Sequence, residues 1–543
     1  MSSSAASLRS GLTIALGRAA RLAARLRGGG SGGTALPGLV MEKTDPGFLR
    51  RTLDQLPLGV VVVSGTNGKT TTTKMVVELL TAQGLKVLTN RTGSNFVRGV
   101  LASLLTEVDA VGRLHHDVAV LELDEAHAVR FVRRVRPRAA LLLNVMRDQL
   151  DRFGEIDYPA SLLHKVAAAT TDVVVVNADD PRLSGPAFFE GVRARTAAFG
   201  AGPGLRSLFV SDDDLRTGAA AAQPATPGGD TADGADAAVD APAEASGGSP
   251  ADGAPAPGGA PDGDAPAGSD PAGDGAGAPA AEGAAAGAGA PGDGTPAGAA
   301  RPAPRVVLES LQDRGAVVRV DGTDHEVSFA IPGVHNQLNA CAALALALEV
   351  LGERADVEKL LAALAHVRAA FGRGEVLTLD GRDVELSLVK NPAGFRMGLL
   401  TAEQAVRARG PETVMIAIND EYADGRDMSW LWDVDFTCLR GEGVAVVTGV
   451  RAWDMALRLR YDEVPVGTVE PDLGRALTLL RRAPGAGADA GPDAPGAGTA
   501  APGTNAGAGS GAARPMRVFT TYTAMLALRA RLGELTEVEE VMK

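Results

Sequence analysis

From residue 58 onward, short apolar runs alternate with amphipathic stretches. GVVVVSG (59–65), LKVLTN (85–90), DVAVLELD (117–124), RAALLLNV (138–145) and TDVVVVNAD (171–179) each read as a buried strand, with helical periodicity between them. Helices are predicted from about Lys69 to Leu80 and again after Asn95. Such runs, separated by helices, predict a parallel sheet covered on both faces. After an interruption, short strands are predicted at 305–309, 316–320 and 325–329, then an Ala-rich helix at 336–351. A second α/β unit begins near Glu375, with strands around 385–389, 413–418, 443–448 and 517–521. The chain thus divides into an N-terminal helical segment (1–37), a central domain (38–372) with an insertion at about 217–304, and a C-terminal domain (373–543) with an insertion at about 483–514. The hinge falls near 371–374.

Composition separates the insertions from the rest. Residues 217–300 hold twelve acidic residues and no Lys or Arg, and 483–513 add Asp489 and Asp493 without a base. Together these runs carry −14, slightly more than the whole formal net charge of −13. The remainder is close to neutral, which removes any global electrostatic case for binding nucleic acid. Both runs are almost wholly Ala, Gly, Pro, Asp, Ser and Thr, without an aromatic residue. They cannot bury enough apolar surface to offset an ordering entropy of about 1–2 kcal/mol per residue, and are expected to be disordered. Neither has a Gly-X-Y period, which excludes collagen. Two readings stay open: an interaction tail or spacer, and a tolerated surface-loop insertion, since long loops are cheap to close.

Two cysteines, Cys341 and Cys438, cannot build a disulfide framework or a four-cysteine zinc site, and fit a reducing compartment. No apolar run approaches the roughly 20 residues of a membrane span. LRSGLTIALGRAARLAARLR (8–27) has a basic amphipathic pattern without a signal-peptide core and cleavage site. It either rests on an anionic membrane surface or packs as a leading helix. The expected location is the cytoplasm, with a peripheral position at the inner face of the cell membrane left open.

SGTNGKTTTT (64–73) stands between a strand and a helix start, the setting a phosphate-binding loop requires. The turn Gly65, Thr66, Asn67, Gly68 and the helix start through Thr71 offer backbone N–H groups to phosphate oxygens. Lys69 brings positive charge to the outer phosphates, and the Thr70 hydroxyl suits Mg²⁺. The common pattern has Gly five residues before Gly68, where this chain has Val63, so the loop is a shorter G-T-N-G-K-T-T form. ATP with Mg²⁺ is the expected cofactor.

GTNGKTT resembles the ATP loop of the Mur ligases and folylpolyglutamate synthases, which make amide bonds through an acyl phosphate. Further segments follow in the same order. LELDEAH (121–127) is similar to the strand end carrying the family's Mg²⁺-binding carboxylate, here Glu122. LLLNVMRDQLDRFG (141–154) resembles the Asn…Asp-His-x-Asp segment, and NADDP (177–181) a strand end that places Asn177 by the nucleotide. VHNQLNACAA (334–343) resembles the HN-x-x-N-A helix start, whose asparagines, here Asn336 and Asn339, reach the adenine side. FGRGE (371–375) resembles the linker arginine that meets the phosphates, here Arg373. TNRTGSNF (89–96) matches a substrate-facing segment and suggests Arg91 and Asn95 as contacts. Alone, each could be a cap or a turn; in order beside a phosphate loop, they are not coincidence.

The departures narrow the resemblance. Gln149 stands where many Mur ligases have a metal-binding His, Lys165 lies near the place of a carbamylated lysine of some relatives, and the roughly 57 residues before the first strand lead to the expectation of no separate UDP-binding domain. LSLVKNPAG (386–394) replaces the DDYAHNP-like segment of amino-acid-adding ligases, and NDEYADGRDMSWLWDVDF (419–436) follows it. Together these resemble the MurT branch of the Mur ligases, the synthase subunits of lipid II isoglutaminyl synthases. The resemblance implies a Mur-ligase-like central P-loop ATPase domain with a parallel sheet and a smaller Rossmann-like α/β C-terminal domain. It implies ATP-dependent amidation of the D-glutamate α-carboxylate of the lipid II stem peptide to D-isoglutamine, in peptidoglycan biosynthesis. The ammonia would come from a GatD-like glutamine amidotransferase in a heterodimer. In that branch the synthase subunit supplies the third member of the partner's triad from the ADGRD segment, here Asp427, with Asp420 and Asp424 as rival carboxylates. Many relatives carry a four-cysteine zinc ribbon where this chain has its acidic run, so no zinc is expected. The rival readings are a stand-alone amino-acid ligase and a non-catalytic nucleotide-binding scaffold; KNPAG and ADGRD argue against the first, and Lys69, Thr70 and Glu122 against the second.

Overall fold

The computed structural model describes residues 2–26, 35–90, 97–146, 157–209, 302–368, 373–483 and 514–538. Arg91, Asn95, Gln149, the side chain of Arg373 and nearly all of both acidic runs lie outside the described residues. Nine strands form the first sheet: β1 (Val60–Ser64), β2 (Val87–Thr89), β3 (Val118–Glu122), β4 (Ala139–Leu142), β5 (Val173–Asn177), β6 (Arg195–Ala201), β7 (Pro304–Gln312), β8 (Gly315–Val320) and β9 (Thr323–Ser328). Their order is β2-β3-β1-β4-β5-β6-β7-β8-β9. The first seven run parallel, and β8 and β9 close the sheet as an antiparallel meander. Every residue of β1, β3 and β5 is buried, which is why these segments read as unbroken Val and Leu runs rather than as alternating patterns. β7 pairs directly with β6 although about a hundred residues separate them, so the long acidic run is inserted between two neighbouring strands of one sheet.

Helix Val334–Leu351 packs across this sheet and against the helix Lys69–Ala82. It is long and apolar enough to cross a membrane, yet it is a core helix, with 83% of its apolar window buried inside the protein. The leading helix Ser2–Leu26 also packs: Thr13 and Ile14 are buried, and Gly17 lies so close to Met41 that a Cβ there would come within 3.0 Å of its side chain. Leu12, Leu16 and Leu22 on the same helix remain exposed.

The second sheet contains β10 (Arg373–Leu379), β11 (Arg382–Leu388), β12 (Thr413–Ala417), β13 (Val444–Thr448), β14 (Val466–Val469) and β15 (Met516–Thr520), in the order β10-β11-β15-β12-β13-β14. β10 and β11 form an antiparallel hairpin and the rest run parallel. Its hairpin turn has Asp380 at φ 52° and Gly381 at φ 73°, the backbone that a two-residue turn between twisted strands demands. At the centre of this sheet the fully buried guanidinium of Arg517 bonds Glu385 at 2.6 and 3.0 Å and Glu412 at 2.5 and 3.0 Å.

Candidate active site

The chain moves from β1 to one side of the sheet through β2 and β3, then to the other through β4. The crevice beyond the carboxyl ends of the strands at such a reversal is where open α/β sheets bind ligands. The sequence-predicted loop sits there. Gly65 and Gly68 take φ values of +130° and +85°, and a Cβ on Gly68 would come 2.6 Å from the side-chain oxygen of Asn339. Glycine at 68 is therefore required by both the backbone and the neighbour.

Residues from β3 and β4 hold the loop. The Thr66 N–H donates to the Asn144 carbonyl at 3.0 Å, the Asn67 N–H donates to Asn144 Oδ1 at 2.8 Å, and Asn144 Nδ2 returns a bond to the Asn67 carbonyl at 3.1 Å. Met146 N–H donates to Thr66 Oγ1 at 3.1 Å. Lys69 Nζ folds back on the carbonyls of Gly65 (2.5 Å) and Thr66 (3.2 Å) and lies 3.6 Å from the buried Glu125 carboxylate. Thr70 Oγ1 donates to Glu122 Oε1 at 2.8 Å. Asn90 in turn exchanges two 2.8 Å bonds with the backbone of Glu122, fixing the strand end that presents the carboxylate. A hydroxyl and a carboxylate at the start of a phosphate-loop helix are hard oxygen donors of the kind Mg²⁺ takes, so these residues fit the expected ion.

Other predicted residues do different work. The Thr71 side chain is buried in the helix. Asn177 Oδ1 accepts from the Asp179 N–H at 3.0 Å, closing the turn after β5. Neighbouring Asp180 accepts from the N–H groups of Val145, Arg182 and Leu183, and burial pushes its carboxyl up to about 6 against those three donors. Asn336 donates to the Pro332 carbonyl at 2.6 Å, while its buried Oδ1 has no hydrogen-bond partner among the described residues. Lys165 lines a surface groove of about 410 Å³ with Val129, Val132, Arg133, Arg136 and Ala169. Arg136 and Ala169 lead into β4 and β5, so this groove opens at the end of the sheet opposite the phosphate loop.

The second domain reaches the same loop. Asn67 Nδ2 donates to Asn391 Oδ1 at 3.3 Å, and Asn391 Nδ2 donates to Asn67 Oδ1 at 3.2 Å. Lys390 Nζ donates to the Thr66 carbonyl at 3.4 Å. Sequence reasoning picked out the KNPAG segment but gave these two residues no role; a Lys-Asn-Pro start to a helix was the available signal. Asn144 was marked only as part of the LLLNVMRDQLDRFG resemblance; Asn90 was not singled out, because an Asn at a strand end looks like ordinary turn chemistry, and neither was Glu125.

The three rival carboxylates after β12 separate clearly. Asp420 is paired with Arg451 at 2.8 Å. Asp424 is buried, accepting from Thr523 N–H at 2.8 Å, from the Thr523 hydroxyl and from Glu421 N–H at 3.1 Å, so it pins the loop. Asp427 is exposed, and the Ser429 N–H that donates to it at 2.9 Å holds its carboxyl below the usual range. Cys341 is buried inside helix Val334–Leu351, where burial raises its thiol strongly; Cys438 is exposed as a residue, and partial desolvation with the neighbouring Glu403 and Asp435 carboxylates raises its thiol to about 11.

A phosphate loop at the switch point of one parallel sheet, met by a second α/β domain, defines a Mur-type ligase. MurF from Acinetobacter baumannii shares the fold at a TM-score of 0.55 and 16% identity, over 92% of this chain and 81% of that one. MurF from Thermotoga maritima in complex with ADP does so at 0.53 and 14%, over 91% and 83%. Residues 63–209 match the Mur ligase middle domain and residues 388–486 the MurT ligase C-terminal domain. A Staphylococcus aureus (strain COL) protein named lipid II isoglutaminyl synthase (glutamine-hydrolyzing) subunit MurT is 27% identical, over 86% of this chain and 92% of its own length. Its namesake in Streptococcus pneumoniae (strain R6) is 28% identical, over 80% and 83%. The chain thus carries the middle domain of the Mur ligases and the C-terminal domain of the MurT ligases, and is similar to MurT subunits over most of its length.

Proposed function

We propose that the chain is the ATP-dependent synthase subunit that converts the D-glutamate α-carboxylate of the lipid II stem peptide to the amide of D-isoglutamine. The observation that carries this reading is the Thr70–Glu122 pair at 2.8 Å beside Lys69, on a loop that a C-terminal domain of the amidating type closes against. The loop N–H groups and Lys69 hold the triphosphate so that its terminal phosphoryl group faces the substrate carboxylate. The carboxylate oxygen forms a bond to that phosphorus as the bond to ADP breaks. Ammonia then attacks the acyl carbon, phosphate leaves, and the proton lost from nitrogen passes to solvent or phosphate. When bound at Thr70 and Glu122, Mg²⁺ supplies neutralising charge to the phosphate oxygens. Contact between the two domains shields the acyl phosphate from water.

The nitrogen source in this reading is a separate glutamine-hydrolysing subunit of the GatD kind. It is supported by the absence of a reactive thiol among the described residues and by Asp427, an ionised, exposed carboxylate suited to orient a histidine from outside the chain. Exposed Trp432, Trp453 and Tyr461 in the same domain give that partner an aromatic surface to meet. A peripheral position at the inner membrane face is supported by exposed Leu12, Leu16 and Leu22 on a leading helix whose only charges are arginines.

The test is reconstitution. With partner, lipid II, glutamine and Mg·ATP, ADP should appear in step with amidated stem peptide. ATP turnover with a free amino acid and no partner would instead establish the stand-alone ligase.

A further inference from the structure

Two ammonium groups converge on one carbonyl. Lys69 Nζ and Lys390 Nζ both donate to the Thr66 oxygen, at 3.2 and 3.4 Å, although one comes from the first sheet's phosphate loop and the other from the end of β11 in the second. Glu125, 3.6 Å from Lys69, offsets one of the two charges. Lys390 is not placed there by its flexible stem alone. The next residue, Asn391, caps helix Pro392–Arg409 by accepting from the Gly394 N–H at 2.8 Å, and Pro392 stiffens the first turn. The same Asn391 side chain exchanges two bonds with Asn67, within the loop itself. The backbone that carries Lys390 is thus tied to the loop on one side and to a rigid helix start on the other.

A second cation held beside a Gly-Lys-Thr loop at a helix start suits a ligand with more negative charge than the first lysine can balance. We propose that Lys390 contacts the terminal phosphoryl group of the nucleotide, so that the C-terminal domain supplies a positive charge to the group being transferred. This rests on the reading of the loop as an ATP site and deepens it. Lys69 serves the outer phosphates from the loop side; Lys390 adds a second charge to the one that leaves and then stays over the acyl phosphate. Recognition of a triphosphate therefore depends on the docked KNPAG segment, while recognition of a diphosphate does not. Lys390 counts as a catalytic residue, since it touches the reacting group; Asn391 is a positioning residue that acts through it.

The experiment compares full-length wild type, Lys390→Met and Lys390→Arg, each with Mg²⁺. Equilibrium binding of ADP and of β,γ-methylene-ATP gives the affinity ratio between the two nucleotides. Turnover is read with lipid II and ammonium chloride, so that no partner is needed. Lys390→Met should bind ADP as wild type does, lose about tenfold in affinity for the triphosphate analogue, and lose about a hundredfold in kcat, as removal of one charge-stabilising donor generally costs. Lys390→Arg should recover part of both losses. Retained ADP binding certifies that the variant is folded. A wild-type ratio in Lys390→Met, or equal loss of ADP and analogue, overturns the proposal. If wild type turns over nothing with ammonium, the ligase reading fails by itself, and the binding ratio still decides the role of Lys390.

Discussion

Asn67 and Asn391 exchange two side-chain hydrogen bonds, at 3.3 and 3.2 Å, across a sequence separation of 324 residues. One lies in the phosphate loop after β1 and the other at the start of a helix in the second domain. The pair ties the phosphate loop to the second domain, and in the proposed reaction it would link binding of ATP to shielding of the acyl phosphate.

Substitution at Asn391 separates its two jobs. Asn391→Asp keeps an oxygen to accept from Gly394 N–H but sets a carboxylate oxygen against Asn67 Oδ1. Its melting temperature should stay near wild type while KM for ATP rises about tenfold, the scale of one or two hydrogen bonds lost plus repulsion. Asn391→Ala should show the same KM rise and also lose about 1 kcal/mol of stability with the cap. Unchanged KM in both would detach the latch from nucleotide binding.

The Thr70–Glu122 pair predicts a metal phenotype. Thr70→Val should raise the Mg²⁺ concentration needed for half-maximal ATP turnover, Thr70→Ser should not, and Glu122→Gln should lower kcat by about a hundredfold. Equal Mg²⁺ requirements for wild type and Thr70→Val, read by titration, would remove the hydroxyl from the ion site.

The phosphate loop and most strands were legible because apolar runs and a GKT turn are local signals, whereas Glu122 was reached only through the resemblance. The β10–β11 hairpin was half legible: Asp380-Gly381 marks its turn, but the RGEVLTL strand carries polar residues and was not anticipated. β14 is a short, half-exposed edge strand and left no apolar run to read. The role of Lys390 was not legible at all, since nothing in a Lys-Asn-Pro triplet says which loop it will meet. Sequence favoured Asp427 through the resemblance but could not set Asp420 and Asp424 aside, because what occupies them is an arginine 31 residues away and a threonine 99 residues away.

The raised thiol of Cys438 sets a pH expectation. With its ionisation near 11, about one thiolate in a thousand is present at pH 8. Iodoacetamide labelling should be slow at pH 8 and climb steeply only as pH approaches 11, and Cys438→Ser should leave glutamine-driven amidation intact. Rapid labelling at pH 8 with loss of that activity would give this chain a nucleophile of its own.

Arg517 holds the second sheet together through buried charge. Its removal in Arg517→Met strands Glu385 and Glu412 without their main partner and leaves them Arg409 at 4.0 and 3.6 Å. Denaturant melts should show a loss of about 3–5 kcal/mol, and replacing all three residues with apolar ones should recover much of it. A loss below about 1 kcal/mol in the single variant would contradict the assignment.

The most direct measurement is the mass of the lipid II stem peptide after incubation with Mg·ATP and either ammonium or glutamine, using wild type and Asp427→Asn, each with and without the glutamine-hydrolysing partner. Wild type should replace one carboxyl OH by NH₂ from ammonium alone, and from glutamine only with the partner; Asp427→Asn should keep the first reaction and lose the second. A mass gain equal to an added amino acid, or amidation from glutamine by this chain alone, would contradict the account.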